Sequence, residues 1–325
     1  MNKLKLAFFG APDFAARVLE QIITDKGIPV NLKFVVTQPD RPAGRKQILT
    51  PTPVKLCAQK YNIPVFDDLM QDSINVKLQE IDLVLLYAFG EFIPKQLLDL
   101  PRWGFWNIHP SLLPKYRNTS PIVYALLLED KETGVSLIQM DEKLDHGPII
   151  DQQTSSILDQ ETRGELENRL SDIGYKLFKK NVQLLLIGKV NKQEQKHQNR
   201  TFTRLLTKKD GFVPFEIVQK ILKGEALTET EIPPIITEYY KKYPTLITSH
   251  YSLTTYFNLF RALSPWPGIW TLLRLPDSEE QATVEKRLKI TGMEIKNGEP
   301  IITKVQLEGK TEVSITTFLN SYHPF

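Results

Sequence analysis

The sequence predicts an α/β protein: a doubly wound, mostly parallel, Rossmann-like sheet followed by a small C-terminal antiparallel β-barrel of OB-like character. Three observations carry this. In the first half, short apolar runs at residues 5–9, 31–37, 81–87 and 104–108 alternate with segments of helical spacing, the pattern of successive βαβ units. The run IDLVLLY at 81–87 is apolar almost throughout, as in a strand covered by helices on both faces of a parallel sheet. From residue 272 onward the chain changes to TLLRLP, KRLKITGMEI and IITKVQLEG, β-type segments divided by turns, which read as a compact antiparallel module.

The elements follow in order. Residues 5–9 end at Gly10, and Phe14, Val18, Leu19 and Ile22 then recur at helical spacing over 13–23, so the chain opens with a βα unit. FFGAPDFAARV holds one glycine where a dinucleotide fingerprint needs three, which sets NAD aside. Gly10 instead serves a tight βα turn, and Pro12 starts the helix where a missing N–H is harmless. Residues 31–37 form the second strand. The segment TQPDRPAGRKQILT at 37–50 has prolines, a glycine, three basic residues and no apolar period, and is expected to be an exposed loop. Helices over 54–61 and 94–100 flank the strand at 81–87; strands at 104–108 and 134–140 follow. Ligands of such sheets bind beyond the carboxyl ends of the strands, near the switch point. Gly10, Gly90 and residues 107–109 all fall at such ends.

At 325 residues the chain is longer than one hydrophobic core usually organises, so two domains are expected. Residues 1–188 form the first and 212–325 the second, joined by a basic linker at 189–211. In it Lys189, Lys192, Lys196, Arg200, Arg204, Lys208 and Lys209 meet only Glu194 and Asp210. The second domain carries a helical insertion at about 214–250, to which the sequence assigns no purpose. A hydrophobic content of 41% and a charged content of 24% describe an ordinary globular protein. No stretch approaches the roughly 18 apolar residues of a membrane span, and the N-terminus lacks a secretory signal, so a cytoplasmic protein without membrane contact is expected. The single Cys57 offers neither a disulfide nor a thiolate metal site. With a net charge of +3, a polyanionic partner would be met by local clusters.

Chemistry concentrates in WNIHPSLLPKYRNTSPI, residues 106–122. Two apart on a strand, Asn107 and His109 share a face. A carboxamide can donate to an oxygen that becomes negative, and an imidazole can give or take a proton near neutral pH. The pair suits acyl or formyl transfer, although a single histidine is more often a satisfied structural residue. A third group raises the reading: Asp145 in the Gly/Pro-bounded turn LDHGP, 36 residues beyond His109. It can orient the imidazole or accept a proton through water. Asp141 competes with it as a surface turn residue, and His146 receives no role. No serine lies in a G-x-S-x-G elbow, and His109 has no metal-spaced partner, so no metal is expected.

The run N-x-H-P-S-L-L-P, followed by D-x-G-P after a T-G-V strand, resembles the formyltransferase family that uses 10-formyltetrahydrofolate. The flanks FFGAPDFAARVLEQI, TQPDRPAGRKQILTPTPVK, RNTSPI, RALSPWPGIW and EGKTEVSITTFLNSY are similar to the methionyl-tRNA formyltransferase family. The resemblance runs from residue 4 to about 209 and resumes from about 255 to the end. It implies a catalytic Asn107, His109 and Asp145 that move a formyl group from the folate to the α-amino group of methionine on initiator tRNA. It implies a folate site on Phe89, Gly90, Glu91, Phe92, Ile93, Ser111, Leu112, Leu113 and Pro114, with Phe89 either a pterin contact or a plain core residue. It also implies initiator methionyl-tRNA as partner, met by Arg41, Arg45, Lys46, Lys115, Arg117, Arg204, Lys208 and Lys209, and a monomeric enzyme. One departure stands out. Where the family runs from K-x-D-G promptly to an acidic-Trp pair, this chain has DGFVPF and then the insertion. Sugar-nucleotide N-formyltransfer and a non-catalytic tRNA-binding role are the alternatives. The first needs neither the 37–50 loop nor a terminal barrel, and the second needs none of the triad.

Overall fold

A computed structural model of the chain describes residues 3–44, 47–69, 72–226, 228–246, 252–276 and 283–322. The chain divides into two compact units, the first built from residues 1–121, 132–156 and 166–202, the second from 122–131, 157–165 and 203–325. The first contains β1 (Leu4–Gly10), α1 (Asp13–Thr24), β2 (Val30–Val36), β3 (Arg41–Ala43), β4 (Ile48–Thr50), α2 (Pro53–Lys60), β5 (Val65–Phe66), α3 (Asp72–Gln79), β6 (Leu83–Tyr87), α4 (Lys95–Leu98) and β7 (Phe105–His109). After α5 (Pro121–Leu127), which lies in the second unit but for its first residue, come β8 (Glu132–Gln139), β9 (Ile149–Ser156) and the long α6 (Arg163–Leu186).

Seven strands form one sheet in the order β5-β2-β1-β6-β7-β8-β9. The pairs from β5 to β7 are parallel, and those of β7 with β8 and β8 with β9 antiparallel. The chain winds outward from β1 through β2 to β5, then returns to β6 on the other side of β1, so the switch point lies between β1 and β6. Every residue of β6 and β7 is buried, which is why β6 reads as an unbroken apolar run rather than an alternation.

Register explains where the site lies. Val84 pairs with Phe105 and Leu86 with Asn107. One face of these strands is a dry cluster of Phe9, Phe34, Val84, Leu86, Phe89 and Phe105, covered by Ile74 and Leu78 of α3 and Leu97 and Leu98 of α4. Side chains alternate along a strand, so Phe105, Asn107 and His109 occupy that same face. The apolar face therefore ends at Asn107 and His109. On the opposite face, α6 supplies Phe178, whose ring meets Trp106 at 6.4 Å, and α1 supplies Phe14, which meets Tyr87 at 5.1 Å.

The region 37–50, expected as a loop, contains a short hairpin in which Arg41 pairs with Thr50 and Ala43 with Ile48. Three-residue strands are too short for periodicity to reveal, and Pro42 argues against a strand unless it is an edge. Its base is anchored: Thr37 and Thr52 hydroxyls meet at 2.6 Å, and Lys55 Nζ holds Asp40 at 2.7 Å and Asp67 at 3.3 Å. Arg45 and Lys46 lie outside the described residues. Residues 189–202, the first part of the expected linker, add to the first unit through an Ile149–Gln193 bridge and an Arg117–Phe202 bridge.

The second unit holds α7 (Phe215–Lys223), α8 (Pro234–Lys242), α9 (Thr254–Leu263), β10 (Ile269–Pro276), β11 (Thr283–Lys296), β12 (Glu299–Leu307), β13 (Glu312–Ser314) and α10 (Ile315–Tyr322). The expected C-terminal β module is present as a four-stranded antiparallel sheet, β10-β11-β12-β13. Arg261 on α9 is buried and joins other segments of this unit. Its Nη1 donates to the carbonyls of Leu158 and Asp159, and its Nε to Asn258, whose amide reaches Glu129. This gives the RALSPWPG motif a structural purpose and ties 157–165 and 122–131 to the unit. The insertion is α7 and α8 with short turns between. Lys220 pairs with Glu231 at 2.8 Å, and Tyr256 donates to the Glu231 carbonyl at 2.6 Å. Among the described residues no helix is long and apolar enough to cross a membrane.

Phe89 belongs to the core: it is 1% exposed and its ring lies 5.4 Å from Phe9. The sequence left it open between a pterin neighbour and a plain core residue, and its ring is sealed in the core cluster. Phe89→Ala should lower the unfolding free energy by about 3–5 kcal/mol, measured by denaturant titration. A wild-type midpoint would mean that the ring packs nothing.

Candidate active site

Asn107 and His109 lie at the carboxyl end of β7, 8% and 4% exposed. His109 pairs across the strands with Ser136 of β8, and Ser136 fixes what comes next. Its hydroxyl donates to the Ser111 carbonyl at 2.6 Å and accepts the Leu113 N–H at 3.0 Å, while Gln152 Nε2 donates to it at 2.6 Å. The loop after β7 is thus held to β8 and β9 by a buried hydroxyl with its bonding capacity used. Tyr116 and Asn118 then take left-handed conformations, with φ of 60° and 85°, and the Tyr116 N–H is fixed by the Thr201 hydroxyl at 2.9 Å.

This loop geometry turns two backbone groups onto the site. The Tyr116 carbonyl lies 2.9 Å from His109 Nε2. A carbonyl can only accept, so Nε2 carries hydrogen and donates. Nδ1 then faces Asp145 Oδ1 at 3.5 Å. Asn107 Nδ2 donates to the same Oδ1 at 3.3 Å, and the Asn118 N–H donates to Oδ2 at 2.7 Å. The Asp145 side chain is only 9% exposed, so a buried carboxylate is matched by donors on both oxygens. Asp145 is itself left-handed, at φ 46°.

The turn that carries Asp145 is shaped by close approach. A Cβ on Gly147 would overlap the Gln139 carbonyl oxygen, so only glycine fits where LDHGP returns to β8. Gln195 donates to the carbonyls of Asp145 and Gly147, and its own oxygen accepts from Arg117 Nη2 at 2.6 Å. Arg117 Nη2 also donates to His197 Nδ1 at 2.8 Å, which must be an unprotonated nitrogen to accept. Desolvation of His197 and the nearby His146 and Arg117 charges push its pKa below the ordinary imidazole value, in agreement. The His197 ring stacks on His146 at 4.1 Å, and His146 Nδ1 is held by Asp141 at 2.7 Å. Burial likewise pushes the Arg117 guanidinium down.

A cleft of about 510 Å³ borders the turn, lined among others by Lys95, Trp103, Met140, Asp141, Lys143 and His146. It adjoins Asp145 through the next residue in the chain.

The triad named from sequence is therefore one cluster. Around it, Ser111 and Leu113 are buried, Leu112 and Pro114 partly exposed, and Gly90, Glu91 and Phe92 exposed. The Ile93 side chain is 3% exposed within the same core cluster as Phe89. Arg117 was expected to meet RNA; at 2% exposure, bonded to Gln195 and His197, it is an internal residue, because a sealed guanidinium cannot reach a phosphate. Arg204 is bound to Asp210 at 2.7 Å and to Glu238 at 2.9 Å, and these bonds hold its pKa above the usual value. Lys115 is half-buried, 4.5 Å over the Tyr116 ring. Arg41, Lys208 and Lys209 are exposed. Sequence reasoning missed Asn118, the Tyr116 carbonyl and Gln195. The first two act through the backbone, which no residue type announces, and Gln195 lies in a segment read only for its charge.

A family model described as formyl transferase matches residues 4–182. The chain is 33% identical over 341 residues to the methionyl-tRNA formyltransferase of Bacillus mycoides (strain KBAB4), a match covering 99% of this chain and 96% of that one. Among solved structures, a 4-N formyltransferase from Francisella tularensis matches with a TM-score of 0.57 at 16% identity, over 87% of this chain and 97% of that one. A sugar 3N-formyl transferase solved in the presence of dTDP and 5-N-formyl-THF matches with a TM-score of 0.54 at 17% identity, over 96% of this chain and 100% of that one. At such identities the two structures speak for the fold. With the family model spanning more than half of it and a relative matched along nearly its full length, the chain belongs to the formyl transferase family.

Proposed function

We propose that this protein transfers the formyl group of 10-formyltetrahydrofolate to the α-amino group of methionine on initiator methionyl-tRNA. The observation that carries the reading is the convergence of Asn107 Nδ2 and His109 Nδ1 on one oxygen of Asp145, at 3.3 and 3.5 Å. The choice of acceptor is supported by the full-length relative, itself a methionyl-tRNA formyltransferase.

The roles follow from which hydrogens are committed. Asn107 spends one amide hydrogen on Asp145, leaving the second for the formyl oxygen as it gains negative charge. His109 donates from Nε2 to the Tyr116 carbonyl, so in the neutral ring Nδ1 is the basic position, and it faces a carboxylate. When the amine nitrogen bonds to the formyl carbon, His109 takes the amine's proton at Nδ1. Asp145 stabilises the imidazolium so formed, and the proton passes to N10 of the folate as the bond from carbon to N10 breaks. The products are formylmethionyl-tRNA and tetrahydrofolate, with atoms and charge balanced. Burial strengthens each of these interactions.

The cleft beside the Asp145 turn supports a folate site there by chemistry: Trp103 offers an aromatic surface, and Lys143 and Lys192 offer cations for carboxylates. For the RNA, Arg41 on the hairpin, Arg45 and Lys46, which lie outside the described residues, and Lys115, Lys208 and Lys209 remain the proposed contacts. Arginine's planar fork suits phosphate and base alike.

The test combines the protein with 10-formyltetrahydrofolate and charged initiator tRNA, an amino-sugar nucleotide, or no acceptor. Formylmethionyl-tRNA should form in the first mixture alone; a formylated sugar or plain hydrolysis rejects the reading. Asn107→Ala and His109→Ala should each lower turnover by about 10²–10³ or more with RNA affinity nearly unchanged in filter binding. Arg45→Ala should instead erode the preference for initiator over elongator tRNA, and an unaltered preference removes the hairpin from recognition.

A further inference from the structure

We propose that Gln195 is a positioning residue for this reaction: its side-chain amide clamps the turn that carries Asp145 and so fixes the carboxylate against Asn107 and His109. The effect on rate rests on the formyl-transfer reading; the clamp itself does not.

Asp145 must hold a left-handed backbone, at φ 46°, while its side chain bridges β7 and the loop at Asn118. Gln195 is 5% exposed. Its Nε2 has two hydrogens, and the carbonyls of Asp145 and Gly147 receive them at 2.9 and 2.8 Å. Its Oε1 accepts from Arg117 Nη2 at 2.6 Å, and Arg117 is a neighbour in sequence of Asn118, whose N–H holds the other carboxylate oxygen at 2.7 Å. A ring results: Asp145 carboxylate, Asn118, Arg117, Gln195, Asp145 carbonyl. Each member is bonded to the next through the chain or a hydrogen bond, so the turn is gripped from both ends. Gln195 reaches none of the triad side chains in this network. It acts only through the backbone of Asp145, which is why it counts as positioning and not as catalytic.

The two donors of this amide grip the Asp145 turn directly, and its oxygen closes the ring through Arg117. Gln195→Glu keeps the shape and the Arg117 partner but places a carboxylate oxygen against two carbonyl oxygens, whereas Gln195→Leu removes all three bonds. Both variants of the full chain are compared with wild type in two measurements. Hydrogen exchange at the Asn118 amide, without substrates, should speed up by at least about tenfold relative to amides in β1 and β6. In formyl transfer to charged tRNA, kcat should fall by about 10–100-fold while KM for the RNA stays within about twofold. If Gln195→Leu does not fold, the isosteric Gln195→Glu decides. An Asn118 amide that exchanges no faster than those of the sheet, or a folded variant with wild-type kcat, overturns the proposal. A wild-type protein that formylates no tRNA refutes the functional reading instead, and the exchange experiment then judges the clamp alone.

Discussion

A single buried carboxylate organises the active site. Asp145 receives Asn107 and faces His109 on one oxygen, and receives the Asn118 N–H on the other. Burying such a charge without partners would be prohibitive. Holding a non-glycine residue left-handed also costs on the order of 1–3 kcal/mol. Hydrogen bonds to a charged group contribute about 1.5–3 kcal/mol each, an amount of the same size as the backbone strain. The strain is also placed well: Asp and Asn are the residues that tolerate this conformation best, and both Asp145 and Asn118 adopt it.

The sheet supplies the rigidity on which this depends. β7 sits between β6, its parallel partner, and β8, its antiparallel one. The change of direction lets the chain after β8 turn back at 141–147 to deliver Asp145 to residues on β7. A wholly parallel sheet would send the chain into a helix at that point. Ser136, opposite His109, ties the loop after β7 down with its hydroxyl. Ordinary strand alternation and one buried serine thus aim the Tyr116 carbonyl at Nε2, leaving Nδ1 as the working nitrogen of the imidazole.

Much of this was legible in the sequence. Apolar continuity at 81–87 and the spacing of Asn107 and His109 mark strands and a shared face, because burial and side-chain alternation are direct consequences of residue order. Asp145 stands out through its turn, where Gly147 is required by the nearby Gln139 carbonyl. What the sequence could not convey is whether a charge or a ring is already used. Arg117 and Arg204 read as RNA contacts because arginines near a site look available; their partners, Gln195 and His197 for one, Asp210 and Glu238 for the other, include residues as far as 80 positions away. Phe89 and Ile93 follow an apolar strand and could as well face a ligand as the core; the packing of α3 and α4 decides for the core. The hairpin at 41–50 escaped notice because three-residue strands leave no period. The insertion has a structural place without a chemical one: Arg204 links it to Asp210 through Glu238, and Lys220 and Tyr256 fasten its turns.

The central claim is that Asp145 works by charge, holding an imidazole ready to take a proton at Nδ1, and not by contact with either substrate. Asp145→Asn removes that charge at nearly constant shape, and single-turnover kinetics with saturating 10-formyltetrahydrofolate and charged initiator tRNA separate binding from chemistry. The account predicts a chemical step slower by about 10²–10⁴, with dissociation constants for both substrates within about threefold of wild type. A single-turnover rate close to wild type, or a loss explained by weaker binding alone, contradicts it.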